Sequence, residues 1–192
     1  MTTGILALQG SFNNHRKSLE LLEKEYVLIK DTEDLKNIDS LILPGGESTS
    51  MIKIQEESEL FDSLKKLIND GIPTLGTCAG LILLAKDVLD GSVSLGLLDC
   101  VVERNAYGRQ NESFEGLVKF NNNSQMYCFI RAPKIISARH NVKNVAQLDD
   151  EIVGIQENNI VGLCFHPELT NDENYLNWLN NFIVEGNNVR SF

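Results

Sequence analysis

The chain is short of positive charge. Seventeen Lys and Arg stand against 27 Asp and Glu over 192 residues, a net charge of −10. That balance argues against a nucleic-acid or anionic-membrane partner, which needs a basic face. No apolar run approaches the length of a membrane span. Met1-Thr2-Thr3-Gly4 has neither the basic start nor the long apolar stretch of a secretory leader. The four cysteines lack the spacing of a small disulfide framework, so a reducing, cytoplasmic setting is expected. Histidine is scarcer still. His15, His140 and His166 are the whole supply, and no metal-ligand spacing joins them to cysteine or carboxylate, so no metal is expected. There is no repeat, low-complexity tract or dividing linker, and one domain over residues 1–192 is expected.

What is present is an alternation of apolar runs and helix-like segments. Residues 5–8, 26–29, 40–43 and 73–76 read as short buried strands, and residues 18–25 and 58–70 as helices. The second helix carries Leu60, Phe61, Leu64, Leu67 and Ile68 on one face. Short turns between such elements imply parallel strands with right-handed crossovers. The predicted fold is therefore α/β, a single doubly wound, flavodoxin-like, mostly parallel sheet with helices on both faces. Further strands are predicted over 115–120, 126–130, 152–157 and 160–164, with a hairpin turn at Glu157-Asn158-Asn159 and a closing helix over 173–184.

Between strand 73–76 and the apolar run after it lies Gly76-Thr77-Cys78-Ala79-Gly80. A cysteine flanked two residues away on both sides by glycine, at a strand-to-helix corner, has the form of a nucleophile elbow. The helix-start N–H groups and dipole there favour a thiolate. A cysteine is also an ordinary core filler, and that is the reading given to Cys100 and Cys128, with Cys164 in another apolar stretch.

A thiol nucleophile needs a base and a group to orient it. His166 lies in Phe165-His166-Pro167-Glu168, and Pro167 biases it toward extended backbone. Residues two apart then share a side, so Glu168 can orient the imidazole as the third member of a triad does. The same tetrapeptide also describes a surface histidine beside a solvated glutamate. His15 is open between a cap, a partner contact and chemistry, and His140 reads as a solvated loop residue. The N–H of Ala79 is one natural oxyanion donor. A second donor comes from the Gly45-Gly46 turn, unless Pro44-Gly45-Gly46 merely ends a strand.

These segments, in this order, resemble the class I, triad-type glutamine amidotransferases. Leu8-Gln9-Gly10 with His15, Leu43-Pro44-Gly45-Gly46-Glu47-Ser48-Thr49, the segment from Glu103 through Arg104 to Gln110, and Phe129-Ile130-Arg131-Ala132-Pro133 narrow the likeness. Together they are similar to the glutaminase subunits of pyridoxal 5′-phosphate synthase. The resemblance implies Cys78 as nucleophile, His166 as general base and acid, and Glu168 as its orienting carboxylate. It implies Gly46, Glu47, Ser48, Arg104, Ile130 and Arg131 as glutamine-binding positions, with Gly46 and Ala79 forming the oxyanion hole. Without it, each arginine reads as a surface charge. It also implies hydrolysis of L-glutamine to glutamate and ammonia with no cofactor. The ammonia would pass to a separate synthase subunit, since the chain has no room for the synthase barrel. Asn14 departs from the acidic residue common at that place in the family, in a segment implicated in docking. Left open are an amidotransferase serving another acceptor synthase, a cysteine peptidase, and a non-catalytic regulator on the same scaffold.

Overall fold

The computed structural model describes residues 1–8, 10–46, 59–89, 91–106 and 113–189, with side chains as far as 185. The first half runs β1 (Thr2–Leu6), α1 (Phe12–Leu21), β2 (Glu25–Ile29), β3 (Ser40–Leu43), α2 (Leu60–Asn69), β4 (Thr74–Thr77) and α3 (Ala79–Leu84). The second runs β5 (Ala85–Val88), β6 (Leu98–Glu103), β7 (Ser113–Phe120), β8 (Asn123–Ile130), β9 (Lys134–Ala138), β10 (Lys143–Leu148), β11 (Glu151–Glu157), β12 (Ile160–Leu163) and α4 (Glu173–Val189).

Nine strands form one sheet in the order β2-β1-β3-β4-β12-β11-β10-β7-β8. From β2 through β12 every pairing is parallel, and from β12 through β8 every pairing is antiparallel. The parallel half is the doubly wound α/β unit that the alternation predicts. β1 to β2 steps one way along the sheet and β3 to β4 the other. Right-handed crossovers therefore put α1 and α2 on opposite faces. All four residues of β3, β4 and β12 are buried, as strands covered on both faces must be. β7 instead alternates, with Gly116, Val118 and Phe120 buried and their neighbours exposed or half-buried, because one face of this extension meets solvent.

A second sheet, β5-β6-β9, was not legible in the pattern. β5 buries only its two ends, and β9 buries little beyond Ile135, so neither shows a strand's alternation. β10 escaped notice for the same reason, with Ala146 its one buried residue. The apolar run after the elbow also divides. Helix α3 stops at Leu84, and Ala85 opens β5. The predicted hairpin turn stands as read, with Glu157 opposite Ile160 and Asn158 at φ 52°. Among the described residues, no helix is long and apolar enough to cross a membrane.

Candidate active site

The site lies beyond the carboxyl ends of the parallel strands, where open α/β sheets place ligands. β3, β4 and β12 are neighbours, with Leu43 opposite Gly76 and Thr77 opposite Leu163. Pro44-Gly45-Gly46, Cys78 and His166 therefore emerge side by side from three adjacent strands.

The corner at Cys78 is built as the glycines suggest. Cys78 has φ 50° and ψ −105°, a left-handed backbone that costs a non-glycine residue about 1–3 kcal/mol. Its N–H donates to the carbonyl of Leu163 at 2.8 Å, which ties the elbow to β12. A β-carbon at Gly80 would sit 1.9 Å from the carbonyl oxygen of Leu43, and one at Gly76 would sit 2.7 Å from the Gly80 backbone. Both flanking positions therefore exclude a side chain by contact with main chain. Ala79 is buried and opens α3 directly behind Cys78.

His166 is held from behind by aromatic packing. Phe165 stacks on Tyr127, with ring centroids 4.8 Å apart, and meets Phe120 and Phe129 at 5.9 and 5.8 Å. The His166 N–H donates to the carbonyl of Cys128, between Tyr127 and Phe129 on β8. The imidazole Nδ1 lies 2.8 Å from Glu168 Oε1, and the ring also meets the side chain of Cys78. The expected His–Glu contact is thus present, though by another backbone route. Residues Pro167–Leu169 form a 3-10 turn, and this turn, not continued extension, brings Glu168 back beside His166.

Burial opposes protonation of His166, yet the Glu168 carboxylate and then Cys78 outweigh it and push its pKa up to about 10. Glu168 is fully buried. Burial opposes its ionisation as well, but His15 and then His166 hold it well below the ordinary carboxylate range. In the other thiols burial dominates. Burial, then Asp99, raises Cys100 to about 12, and burial raises Cys164 strongly. Cys128, read as core, is half-buried, because it faces outward on β8 with its Sγ 3.7 Å from Glu115 Oε1.

A cavity of about 390 Å³ gathers Gly46, Cys78, Arg104, Ile130, Arg131 and His166 in its wall. Six of the expected residues, scattered from position 46 to 166, therefore share one space. Cys78 Sγ lies 3.6 Å from the carbonyl oxygen of Ile130. Arg131 holds φ 44°, a turn that follows the end of β8. Glu168 stands behind His166, out of the cavity wall. Glu47 and Ser48, and the segment from Tyr107 to Gln110, lie outside the described residues, as does Gln9. Asn14 lines the cavity.

Three groups were missed or undervalued. Ser11 donates through its N–H to the carbonyl of Gly45 at 3.0 Å, and its hydroxyl lies 3.4 Å from the same oxygen and 3.3 Å from Glu168 Oε1. His15 is fully buried, with Nε2 3.0 Å from Thr77 Oγ1 and 3.4 Å from Glu168 Oε1. Thr77, directly before the elbow cysteine, is the third. His140 is exposed, as read.

Comparison with known proteins accords with this arrangement. The chain is 45% identical over 184 residues to a protein of Pyrococcus horikoshii named pyridoxal 5′-phosphate synthase subunit PdxT, covering 90% of this chain and 94% of that one. A Geobacillus thermodenitrificans protein of the same name is 41% identical over 194 residues, with both chains fully covered. A crystal structure of a glutamine amidotransferase superposes with TM-score 0.88 at 37% identity, over 97% of this chain and 98% of that one. A Thermotoga maritima glutamine amidotransferase at 16% identity shares the fold, with TM-score 0.62 over 96% of this chain and 84% of that one. The SNO glutamine amidotransferase family matches residues 5–185. With the match spanning nearly the whole chain, the protein belongs to the SNO glutamine amidotransferase family.

Proposed function

We propose that this protein is the glutaminase subunit of a pyridoxal 5′-phosphate synthase, hydrolysing L-glutamine at Cys78 and handing the ammonia to a separate synthase subunit. The observation that carries the reading is the position of His166. It stands between Glu168, at 2.8 Å, and Cys78, in a cavity that also holds two arginines.

Glutamine enters with its α-carboxylate toward Arg104 and Arg131, whose planar forks suit a carboxylate. His166 keeps its proton up to about pH 10. The Cys78 thiolate attacks the side-chain amide carbon. The carbonyl π pair moves onto oxygen. N–H groups of Ala79 and Gly46 receive that oxyanion, each such donor typically worth about 3 kcal/mol. His166 gives its proton to the departing nitrogen, ammonia leaves, and a glutamyl thioester remains. Water then attacks the thioester carbon and yields a proton to His166. The C–S bond breaks, glutamate leaves, and the thiolate and imidazolium are restored.

Glycine at 45 and 46 makes a turn of the intervening peptide cheap, and that peptide is the switch by which docking of the synthase governs hydrolysis. Such a turn gives up the Ser11 N–H bond to the Gly45 carbonyl. A free glutaminase would waste glutamine, so the partner supplies the compensation. The test is glutamate release from glutamine by the protein alone and with a pyridoxal 5′-phosphate synthase subunit. Release stimulated by the partner and cut by at least about 10³-fold in Cys78→Ala is the expected result. Folded protein that releases no glutamate in either condition would sink the assignment. Full partner stimulation in Gly46→Ala would count against the peptide switch alone.

A further inference from the structure

Helix α1 presents a polar stripe to the interior. Ser11 at its start, then His15 and Ser18, fall at spacings of four and three, one face of a helix. His15 and Ser18 are fully buried, and a buried polar face is costly unless paired. Each of the three side chains leads, directly or through one neighbour, to Glu168. The Ser11 hydroxyl and His15 Nε2 lie 3.3 and 3.4 Å from Glu168 Oε1, the oxygen that faces His166. Ser18 bonds Asn171, whose side-chain amide donates to the Glu168 carbonyl at 2.9 Å. The helix thus grips Glu168 by side chain and main chain together.

The position of the His15 proton follows from these contacts. A lone pair on Nε2 would face the carboxylate oxygen at 3.4 Å, so Nε2 carries hydrogen and points it between Thr77 Oγ1 and Glu168 Oε1. The same ring therefore touches the residue before the nucleophile and the carboxylate behind the base. We infer that His15 is a positioning residue of the glutaminase reaction, holding Glu168 in register with His166 while fixing Thr77 beneath Cys78. The inference rests on the glutaminase reading above and adds to it a residue that never meets glutamine. His166 and Glu168 share a short turn, and nothing in the turn itself stops the carboxylate from swinging off Nδ1. A second donor from another element removes that freedom. Glu168 also acts on Tyr175 of α4 and Cys128 of β8, raising both.

The experiment measures kcat and KM for glutamine hydrolysis at neutral pH, with the synthase subunit present. It compares the wild type with His15→Leu, His15→Gln and His15→Asn. Leu keeps the volume and lacks the donor. Gln carries an amide N–H near the place of Nε2, and Asn carries one near the place of Nδ1. His15→Leu is expected to lose about tenfold in kcat with KM within about twofold, because only positioning of the base is impaired. His15→Gln should recover most of the rate, and His15→Asn should not. Wild-type kinetics in His15→Leu would overturn the inference, as would equal losses in Leu and Gln. If His15→Leu does not fold, Asn matching or exceeding Gln would overturn it equally. A wild type that hydrolyses no glutamine removes the parent reading, whereas an active wild type matched by His15→Leu removes this inference alone.

Discussion

A β-carbon on Gly45 would stand 2.4 Å from Cε1 of His166 and 3.3 Å from Cβ of Cys78. The glycine turn after β3 and the imidazole after β12 are in contact so close that the turn has no room for a side chain. The ring cannot retreat easily, because Glu168 holds Nδ1 and Phe165 is packed behind it.

Gly45→Ala is accordingly expected to tilt His166 and lower kcat by about 10²-fold, the usual scale for misplacing a reacting group by an ångström. Gly71 supplies the control. It has φ 94° with open space where a β-carbon would go. Gly71→Ala should lower stability by about 1 kcal/mol through backbone strain and leave kcat unchanged. Steady-state kinetics and thermal melts on the two variants separate a steric effect at the site from a general loss of fold.

Glu168→Gln removes the charge that raises His166. The sign of the resulting pH dependence follows from the two shifts. A raised His166 stabilises the fold fully below its ordinary value of about 6.5. That contribution is lost as pH climbs through about 10. The depressed Glu168 stabilises the fold above its ordinary value of about 4.3, and that contribution is lost as pH falls into the acid range. The wild type should therefore exceed Glu168→Gln in Tm most clearly near neutrality, with the gap closing toward both extremes. Melts across the pH range check this, and a gap independent of pH would contradict it. The variant should also lose about 10²–10⁴-fold in kcat, because the ring loses the charged partner that orients it and stabilises its protonated form.

Arg104 and Arg131 reach the cavity from the ends of β6 and β8. Replacing either by alanine should raise KM for glutamine by about 10- to 100-fold, the scale of one charge-assisted hydrogen-bond pair, with a smaller change in kcat. A larger fall in kcat than rise in KM would place that arginine nearer the reacting amide than the α-carboxylate.

Gly80→Ala tests the packing under the elbow. Its β-carbon would meet the Leu43 carbonyl at 1.9 Å, and neither main-chain segment can move without parting α3 from β3. Loss of more than about 3 kcal/mol, or failure to fold, is expected from overpacking of that severity. Chemical denaturation measures it, and near-wild-type stability would show that the corner has slack.

The legible parts of this protein were those whose meaning is local. The strand-to-helix corner at Gly76–Gly80 could be read from spacing, because a tight turn excludes side chains at fixed offsets. The parallel half could be read from apolar runs, because strands covered on both faces must be apolar throughout. His166 and Glu168 are two residues apart, so their pairing could be anticipated even though a 3-10 turn achieves it. The start of α1 was lost for the opposite reason. Of its three buried residues only Leu19 is apolar, beside His15 and Ser18, and hydrophobic periodicity does not register a helix whose inward side is mostly polar.

By itself, then, the sequence determined the corner, the alternation and the chemical types on offer: one cysteine in a strained turn, one histidine beside a carboxylate, and glycine where main chains must meet. Tertiary structure decided which distant groups share the site. His15 reaches Thr77 across 62 positions, and Arg104, Ile130 and Arg131 join Cys78 in one cavity only because the antiparallel half of the sheet and the small sheet beside it carry them there. Such pairings depend on the order in which strands assemble, and strand order leaves no mark in any single segment.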